Sequence, residues 1–304
     1  VCASAESSIE GEGFDFEYRT SDDLHTARRC TGCGVVYLSP RPQRSEFERI
    51  YPPTYHSLDF SEQGYGLVHQ VRSRLEANRL LRYCKGVPDN ARILDVGCGD
   101  GFHLDLLRRY GRSGWSLSGI DVDERAIQGA RKRDLDVCIS SIEQADLESD
   151  SYDVVYSIQT IEHMGHPDVA FKNVLRALKP GGRFVIVTDN TDTIDFALFR
   201  GRHWGGYHFP RHWYLFNRTA LSELATRSGF AVKSIDTIVS PVNWVYSIHN
   251  ALVDRNAPEW AIDFFSLKSP LSLAAFTLVD ILLSWAGRGA LLKGVFEKSR
   301  ESRR

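Results

Sequence analysis

Glycines stand at 97, 99 and 101, directly behind the apolar run Ile93-Leu94-Asp95-Val96. Backbone without Cβ atoms at alternate positions can turn sharply and let a ligand approach closely. If a strand precedes the turn and a helix follows, the helix's unpaired N–H groups face the same ligand, which suits an anionic or nucleotide-sized molecule. A nicotinamide dinucleotide fingerprint needs a further glycine at 102, where this chain has Phe102, and that argues against NAD. Such a turn alone also serves as a plain strand-to-helix connection. Asp121 adds a second feature, twenty-four residues after Gly97 at the end of the next apolar run, where a carboxylate can accept hydrogen bonds from both hydroxyls of a ribose.

Histidine is the natural base near neutral pH, and three histidines fall where loops leave the apolar runs. His163 follows Glu162 just after the run 152–158, and is either a base or a helix-start residue fixed by hydrogen bonds. His208 and His212 lie in His203-Trp204-Gly205-Gly206-Tyr207-His208-Phe209-Pro210-Arg211-His212-Trp213-Tyr214, where aromatic faces could line an acceptor pocket or form a satellite core. Cys30-Thr31-Gly32-Cys33-Gly34, followed by the apolar stretch Val35–Leu38, reads as a zinc knuckle. A redox pair would open a helix instead. Cys2 is a third candidate ligand and His25 a substitute for the fourth.

These residues need a scaffold. Apolar runs at 92–96, 115–121, 136–139, 152–158 and 183–188 alternate with helical patterns at 102–110, 123–133 and 167–179, and a helix at 66–83 carries Leu67, Val71, Leu75 and Leu80-Leu81 at helical spacing. Gly111, Asp123, Pro167 and Pro180-Gly181-Gly182 mark helix limits. A further helix at 219–228 leads to a strand at 230–238, and the last strand is expected at 291–297. The order predicts an α/β fold: a Rossmann-like, doubly wound, mostly parallel seven-stranded sheet with an antiparallel last strand, a small N-terminal Cys-rich module and a helical insertion near the C-terminus. The expected domains are a zinc-ribbon-like module at 1–60, a core at 61–238, the insertion at 239–289, and the last core strand with a basic tail at 290–304.

A net charge of -2 over 304 residues gives no general attraction to nucleic acid, although Arg300, Arg303 and Arg304 make the end basic. Six unevenly spread cysteines fit a reducing, cytoplasmic setting better than a disulfide scaffold. The longest apolar stretch, Leu271–Ala286, is broken by Asp280 and is too short to span a bilayer. It reads first as a helical pair packed on the domain or on a homodimer mate, and second as a peripheral membrane contact through 259–286.

Four blocks in order, Ile93–Gly101, Gly119-Ile120-Asp121, Tyr152-Asp153-Val154-Val155 running to Ile161-Glu162-His163, and Leu178-Lys179-Pro180-Gly181-Gly182, resemble the class I S-adenosylmethionine-dependent methyltransferases. The resemblance covers about residues 66–238 and the final strand, and is nearest to the small-molecule subgroup that includes the ubiquinone-biosynthesis O-methyltransferases. It implies that Gly97, Gly99 and Gly101 border the methionine moiety of S-adenosylmethionine, that Asp95 orients their loop, and that Asp121, with Val122 beside it, holds the ribose. Ser141 and Ile142 would meet the adenine, and Ser157 and Gln159 the methionine end. S-adenosylhomocysteine would be the product and a small-molecule or carrier-linked acceptor the substrate, methylated at oxygen with His163, His208 or His212 as base. Some relatives carry an N-terminal module with two cysteine pairs, which implies a structural zinc on Cys2, Cys30 and Cys33. Asp189-Asn190 resembles the metal-binding pair of catechol-type methyltransferases, but Ser157 stands where their other carboxylate would be, so transfer without a metal is expected. The alternatives are a nucleic-acid methyltransferase, disfavoured by charge and by the lack of an Asp/Asn-Pro-Pro-Tyr motif, and a cofactor-binding scaffold without turnover.

Overall fold

The computed structural model describes residues 1–2, 4–52, 55 and 66–300. Arg303, Arg304 and residues 56–60 of the first expected module lie outside them. The chain opens with strands β1 (Ser7–Gly13), β2 (His25–Cys30) and β3 (Val36–Leu38), followed by helices α1 (Phe47–Ile50) and α2 (Gly66–Tyr83). The alternation then begins: β4 (Arg92–Val96), α3 (Phe102–Tyr110), β5 (Ser116–Asp121), α4 (Glu124–Arg131), β6 (Val137–Ile139), β7 (Tyr152–Ile158), α5 (Pro167–Ala177) and β8 (Leu178–Asp189). After it come α6 (Ile194–Phe199), β9 (Tyr214–Leu215), α7 (Arg218–Arg227), β10 (Ala231–Ile238), α8 (Val242–Asp254), α9 (Glu259–Phe264), α10 (Pro270–Trp285) and β11 (Leu291–Glu297).

Seven strands form one sheet in the order β10-β11-β8-β7-β4-β5-β6, parallel from β8 to β6, with β11 antiparallel to both of its neighbours. The order reverses between β4 and β7, which opens a crevice at the carboxyl ends of those strands. Both faces are covered. Leu80, Leu106 and Leu107 of α2 and α3 pack with Val154, Tyr156 and Val185 on one side. Phe171, Val174, Leu221 and Leu224 of α5 and α7 pack with Leu94, Val155 and Phe184 on the other. Burial on both faces explains why these strands read as continuous apolar runs rather than as alternations. Helix limits follow local chemistry: Asp123 accepts from the Arg125 N–H at the start of α4, and Pro167 opens α5. Pro180-Gly181-Gly182 does not end strand pairing, because Gly181 takes φ 80° and the pairing of β7 with β8 continues across a register shift.

Two expectations meet a different arrangement. The N-terminal strands form a second sheet, β1-β2-β3-β9, whose last strand comes from beyond β8, so β3 shares its hydrogen bonding with the end of the aromatic segment. Trp204, Tyr207 and Phe209 pack with Ala27, Val36, Leu38 and Leu215 in one core, so most of that segment's aromatic area covers this sheet. The insertion is three helices rather than a pair: α8 buries Trp244, Val245 and Ala251, while α10 buries only Ser272 and Asp280.

The two parts are joined by Arg211. Its side chain is 0% exposed, donating from Nη1 and Nη2 to both Asp15 carboxylate oxygens at 3.1 and 2.8 Å, and from Nε to the Ile50 carbonyl at 2.6 Å. The guanidinium also lies 4.4 Å from the Tyr18 ring centroid. Burial alone would raise the Asp15 carboxyl, but the Arg211 hydrogen bonds and charge, with the Thr20 hydroxyl at 2.6 Å, outweigh it and hold the group at about 2. A folded-state value below the unfolded one stabilises the fold above about pH 4, and that contribution, about 2 kcal/mol, is lost as the pH falls through about 2. Asp15→Ala leaves the guanidinium buried without its counter-charge, and denaturant melts at neutral pH should show a loss of about 3–5 kcal/mol. A loss under 1 kcal/mol would mean that water reaches the pair.

Candidate functional site

The glycine turn leaves β4 with left-handed backbone at all three expected positions, φ 79° at Gly97, 54° at Gly99 and 82° at Gly101. The three have different neighbours. A Cβ on Gly97 would run into Thr160, and one on Gly101 into Leu135 and Ala130 of the packed interior, whereas one on Gly99 would meet nothing within 4 Å. Gly99 therefore opens on empty space at the carboxyl edge of the sheet. Its N–H donates to Asp121 Oδ2 at 2.8 Å, and the Asp123 N–H donates to Oδ1 at 2.9 Å, so the carboxylate ties the end of β5 to the turn. Each oxygen keeps a lone pair for a ribose hydroxyl. Behind the turn Asp95 is 1% exposed, with Oδ2 4.0 Å from His103 Nδ1 and the Tyr156 hydroxyl beside the carboxyl. Burial pushes its carboxyl far up. A buried acid with spare acceptor capacity beside an open glycine cradle fits a cationic, polar ligand portion such as a methionine ammonium.

The other expected cofactor residues lie along the same edge with different exposure. Val122 is 69% exposed. Ser141 caps a turn by accepting the Gln144 N–H, and Ile142 is buried in the core. Ser157 is fully buried with an unpartnered hydroxyl, and Gln159 takes φ 51° while its N–H donates to the Val187 carbonyl.

The structure gathers all three candidate bases. The His163 and His212 rings are 4.7 Å apart and those of His208 and His212 4.9 Å. Nδ1 of His163 lies 3.0 Å from the Arg211 carbonyl and Nδ1 of His212 2.8 Å from the Gly206 carbonyl. A carbonyl only accepts, so each Nδ1 carries the proton and each Nε2 keeps its lone pair. Burial drives His163 down to about 3 and His212 well below the usual histidine range, the neighbouring histidines adding to it, so both rings are neutral at physiological pH. His208 Nδ1 is 2.9 Å from Glu17 Oε2. Tyr51 brings its hydroxyl to 3.2 Å from His163 Nδ1.

Two carboxyls complete the cluster. Glu162 accepts from the Thr188 hydroxyl at 2.8 Å, and Asp189 accepts from Asn243 Nδ2 at 2.8 Å with Oδ2 3.5 Å from His212 Nδ1. Glu162 Oε1 and Asp189 Oδ2 have no hydrogen-bond partner. Both groups are pushed up, Glu162 by burial and then by Asp189, Asp189 by burial and then by Asp195. Glu162, His163 and His212 can each present one ligand atom within 4.8 Å of the others, an arrangement able to hold a cation.

Residues 67–235 match the family model described as a methyltransferase domain. The chain belongs to that family. A relative named "Probable S-adenosylmethionine-dependent methyltransferase" in Mycolicibacterium smegmatis is 29% identical over 164 residues, 53% of this chain and 59% of that protein. The ubiquinone biosynthesis O-methyltransferase of Alkalilimnicola ehrlichii is 34% identical over 114 residues, 35% of this chain and 45% of that protein. The chain thus spans about half the length of these curated relatives. Among solved structures, the phospholethanolamine N-methyltransferase 2 of Haemonchus contortus is similar with a TM-score of 0.55 and 18% identity over 88% of this chain and 63% of that one. The [4+2]-cyclase SpnF is similar with a TM-score of 0.52 and 18% identity over 84% of this chain and 95% of that one.

This methyltransferase-family chain also brings its three candidate zinc ligands together. The sulfurs of Cys2, Cys30 and Cys33 lie within 4.8 Å of one another, with Cys2 and Cys30 3.4 Å apart. Burial would raise the Cys30 thiol, but N–H groups of Cys33 and Gly32 and the Cys2 side chain bring it to about 7. His25 is not with them. It occupies the other end of β2, stacked on Phe209, about 16 Å along the strand.

The open side of Gly99 gives a direct check on the crevice. Gly99→Ala should lower S-adenosylhomocysteine affinity more than tenfold in calorimetric titration while costing the fold about 1–2 kcal/mol for the left-handed backbone. Gly97→Ala should instead lower the melting temperature, through Thr160. Unchanged affinity in Gly99→Ala would remove the crevice as the cofactor's seat.

Proposed function

We propose that this chain transfers a methyl group from S-adenosylmethionine to an oxygen of a small or carrier-linked acceptor. The observation that carries the reading is the Asp121 bridge to the Gly99 N–H, with the buried Asp95 behind it. Asp121 would hold the ribose, and Gly97, Gly99 and Gly101 would let the methionine end lie against bare backbone, oriented by Asp95. When bound, S-adenosylmethionine supplies an electrophilic methyl group on a sulfonium, so the chain's tasks are alignment and exclusion of water. The lone pair on His212 Nε2 or His163 Nε2 would accept the acceptor's hydroxyl proton. The Gly206 and Arg211 carbonyls would keep each ring in that tautomer, and the Tyr51 hydroxyl would steady His163. Oxygen acceptors are favoured by this cluster of neutral histidines and by the O-methyltransferases among the relatives. Six cysteines without a disulfide support a reducing compartment such as the cytoplasm.

One observation favours a second reading of the same cluster. Histidines whose Nδ1–H is fixed on a carbonyl, beside a carboxylate oxygen without a partner, are also arranged as metal ligands are. In this reading Glu162, His163 and His212 would hold a divalent cation that polarises the acceptor hydroxyl. The cysteine triad would separately hold a structural zinc, a borderline-soft ion that thiolates bind well, and would seal the turn between β2 and β3.

Asp121→Ala should weaken S-adenosylhomocysteine binding at least tenfold by calorimetry, since two charge-assisted hydrogen bonds to the ribose would go. Transfer of labelled methyl to phenolic, quinol, sugar and carrier-linked acceptors tests the activity itself. Bound cofactor without transfer to any of them would favour a scaffold. His212→Ala should lower kcat roughly 100-fold or more with cofactor affinity kept. Chelation followed by added magnesium, manganese or zinc separates base from metal: activity that is lost and then restored supports the cation, and activity that ignores the chelator supports the histidine. Elemental analysis showing no zinc in the purified chain would remove the cysteine site.

A further inference from the structure

Helices α9 and α10 present the most exposed apolar area of the described residues. Leu271, Leu278, Leu282 and Trp285 of α10 and Trp260 of α9 are between 61% and 81% exposed. On α10 the exposed positions recur three or four residues apart, which makes one continuous stripe. The helix's single charge, Asp280, is buried and accepts from the N–H groups of Ser240 and Ala290. No helix among the described residues is long and apolar enough to cross a membrane.

The flanks of the stripe indicate its partner. A second helix would be registered by charged residues beside the seam. Here the flanking positions Ala274, Val279 and Ala286 are apolar as well, so the face is broad rather than a seam. Tryptophans mark its two ends, and Lys268 and Arg288 stand just outside α10, the pattern of a helix lying in a lipid interface.

The C-terminal end of that face runs into an open cleft of about 530 Å³ lined by Arg29, Arg200, Arg288, Thr191 and Thr193. Thr191 is 5% exposed and its hydroxyl has no hydrogen-bond partner. Arg29 and Arg200 share Glu10 at 2.6 and 3.4 Å, and Asp192 is the one carboxylate in the lining. Arg288 has no ion pair among the described residues, so the cleft keeps an unmatched positive charge beside an unmatched hydroxyl. The acids of α9, Glu259 and Asp263, oppose anionic lipid, and the attraction must come from the cleft.

We infer that the α9–α10 face seats on a lipid surface, with the arginine cleft taking the phosphodiester of an anionic headgroup. This holds whatever the chain methylates. The test is co-sedimentation of the full chain with vesicles of phosphatidylcholine alone and with added phosphatidylglycerol. The chain should pellet with the anionic vesicles, and severalfold less with the neutral ones. Leu278→Asp/Leu282→Asp should abolish sedimentation with both, and Arg288→Glu should lower partitioning to the anionic vesicles roughly tenfold while leaving the neutral ones unchanged. All three positions are exposed, so circular dichroism melts should match the parent. Trp285→Glu probes the same face if the double variant melts early. A chain that stays in the supernatant, or a double variant that pellets like the parent, overturns the lipid surface. A dimer in light scattering that the double variant separates replaces it with a second copy, and an unchanged Arg288→Glu variant overturns the headgroup site.

Discussion

A guanidinium without solvent is tolerable only if each nitrogen finds an acceptor, and Arg211 meets that condition with four hydrogen bonds drawn largely from distant parts of the chain. Asp15 neutralises it, the Ile50 and Phe209 carbonyls take further donors, and Tyr18 covers a face. The Arg211 carbonyl meanwhile fixes His163, and His212 is the next residue. The geometry of the histidine cluster is therefore set by a contact that lies outside the Rossmann-like sheet. Loops that follow the strands of such a sheet are usually mobile, and a buried ion pair is one way to hold one still.

The aromatic residues between 203 and 214 complete the same arrangement from the apolar side. Tyr207 and Phe209 stack at 4.8 Å over the N-terminal sheet, and Trp204 packs at 4.8 Å against Phe196 with its indole N–H on Asp195. Beside these rings the histidines diverge: His208 reaches Glu17 of the N-terminal part, and His212 comes to 3.5 Å from Asp189 at the end of β8. Burial then fixes protonation: neutral imidazoles and elevated carboxyls lie side by side, and the cluster carries little net charge toward a polar acceptor.

How much of this was legible varies with sequence distance. The glycine turn, Asp121 and the order of strands and helices are local patterns, and period and capping chemistry are enough to find them. Asp15 and Arg211 are 196 residues apart, and no local rule pairs them. Glu162 lies beyond the end of β7, where strand spacing alone gives it no partner. The short 3₁₀ turn Ile161–His163 folds it back to Thr188 on the neighbouring strand. The cysteine pair was visible from its spacing, and His25 looked like a partner only because a linear chain does not reveal which end of a strand a residue occupies.

Ile238 pairs with Leu291, so fifty-two residues leave and re-enter the sheet at adjacent backbone positions. Geometrically they occupy the tip of a hairpin. Such a tip can be exchanged for another of different size with no change of strand order or register, provided that Asn243 still reaches Asp189. A lineage could thereby acquire new acceptors or new attachments by trading this one segment, with the adenosyl-binding half of the molecule left as it is.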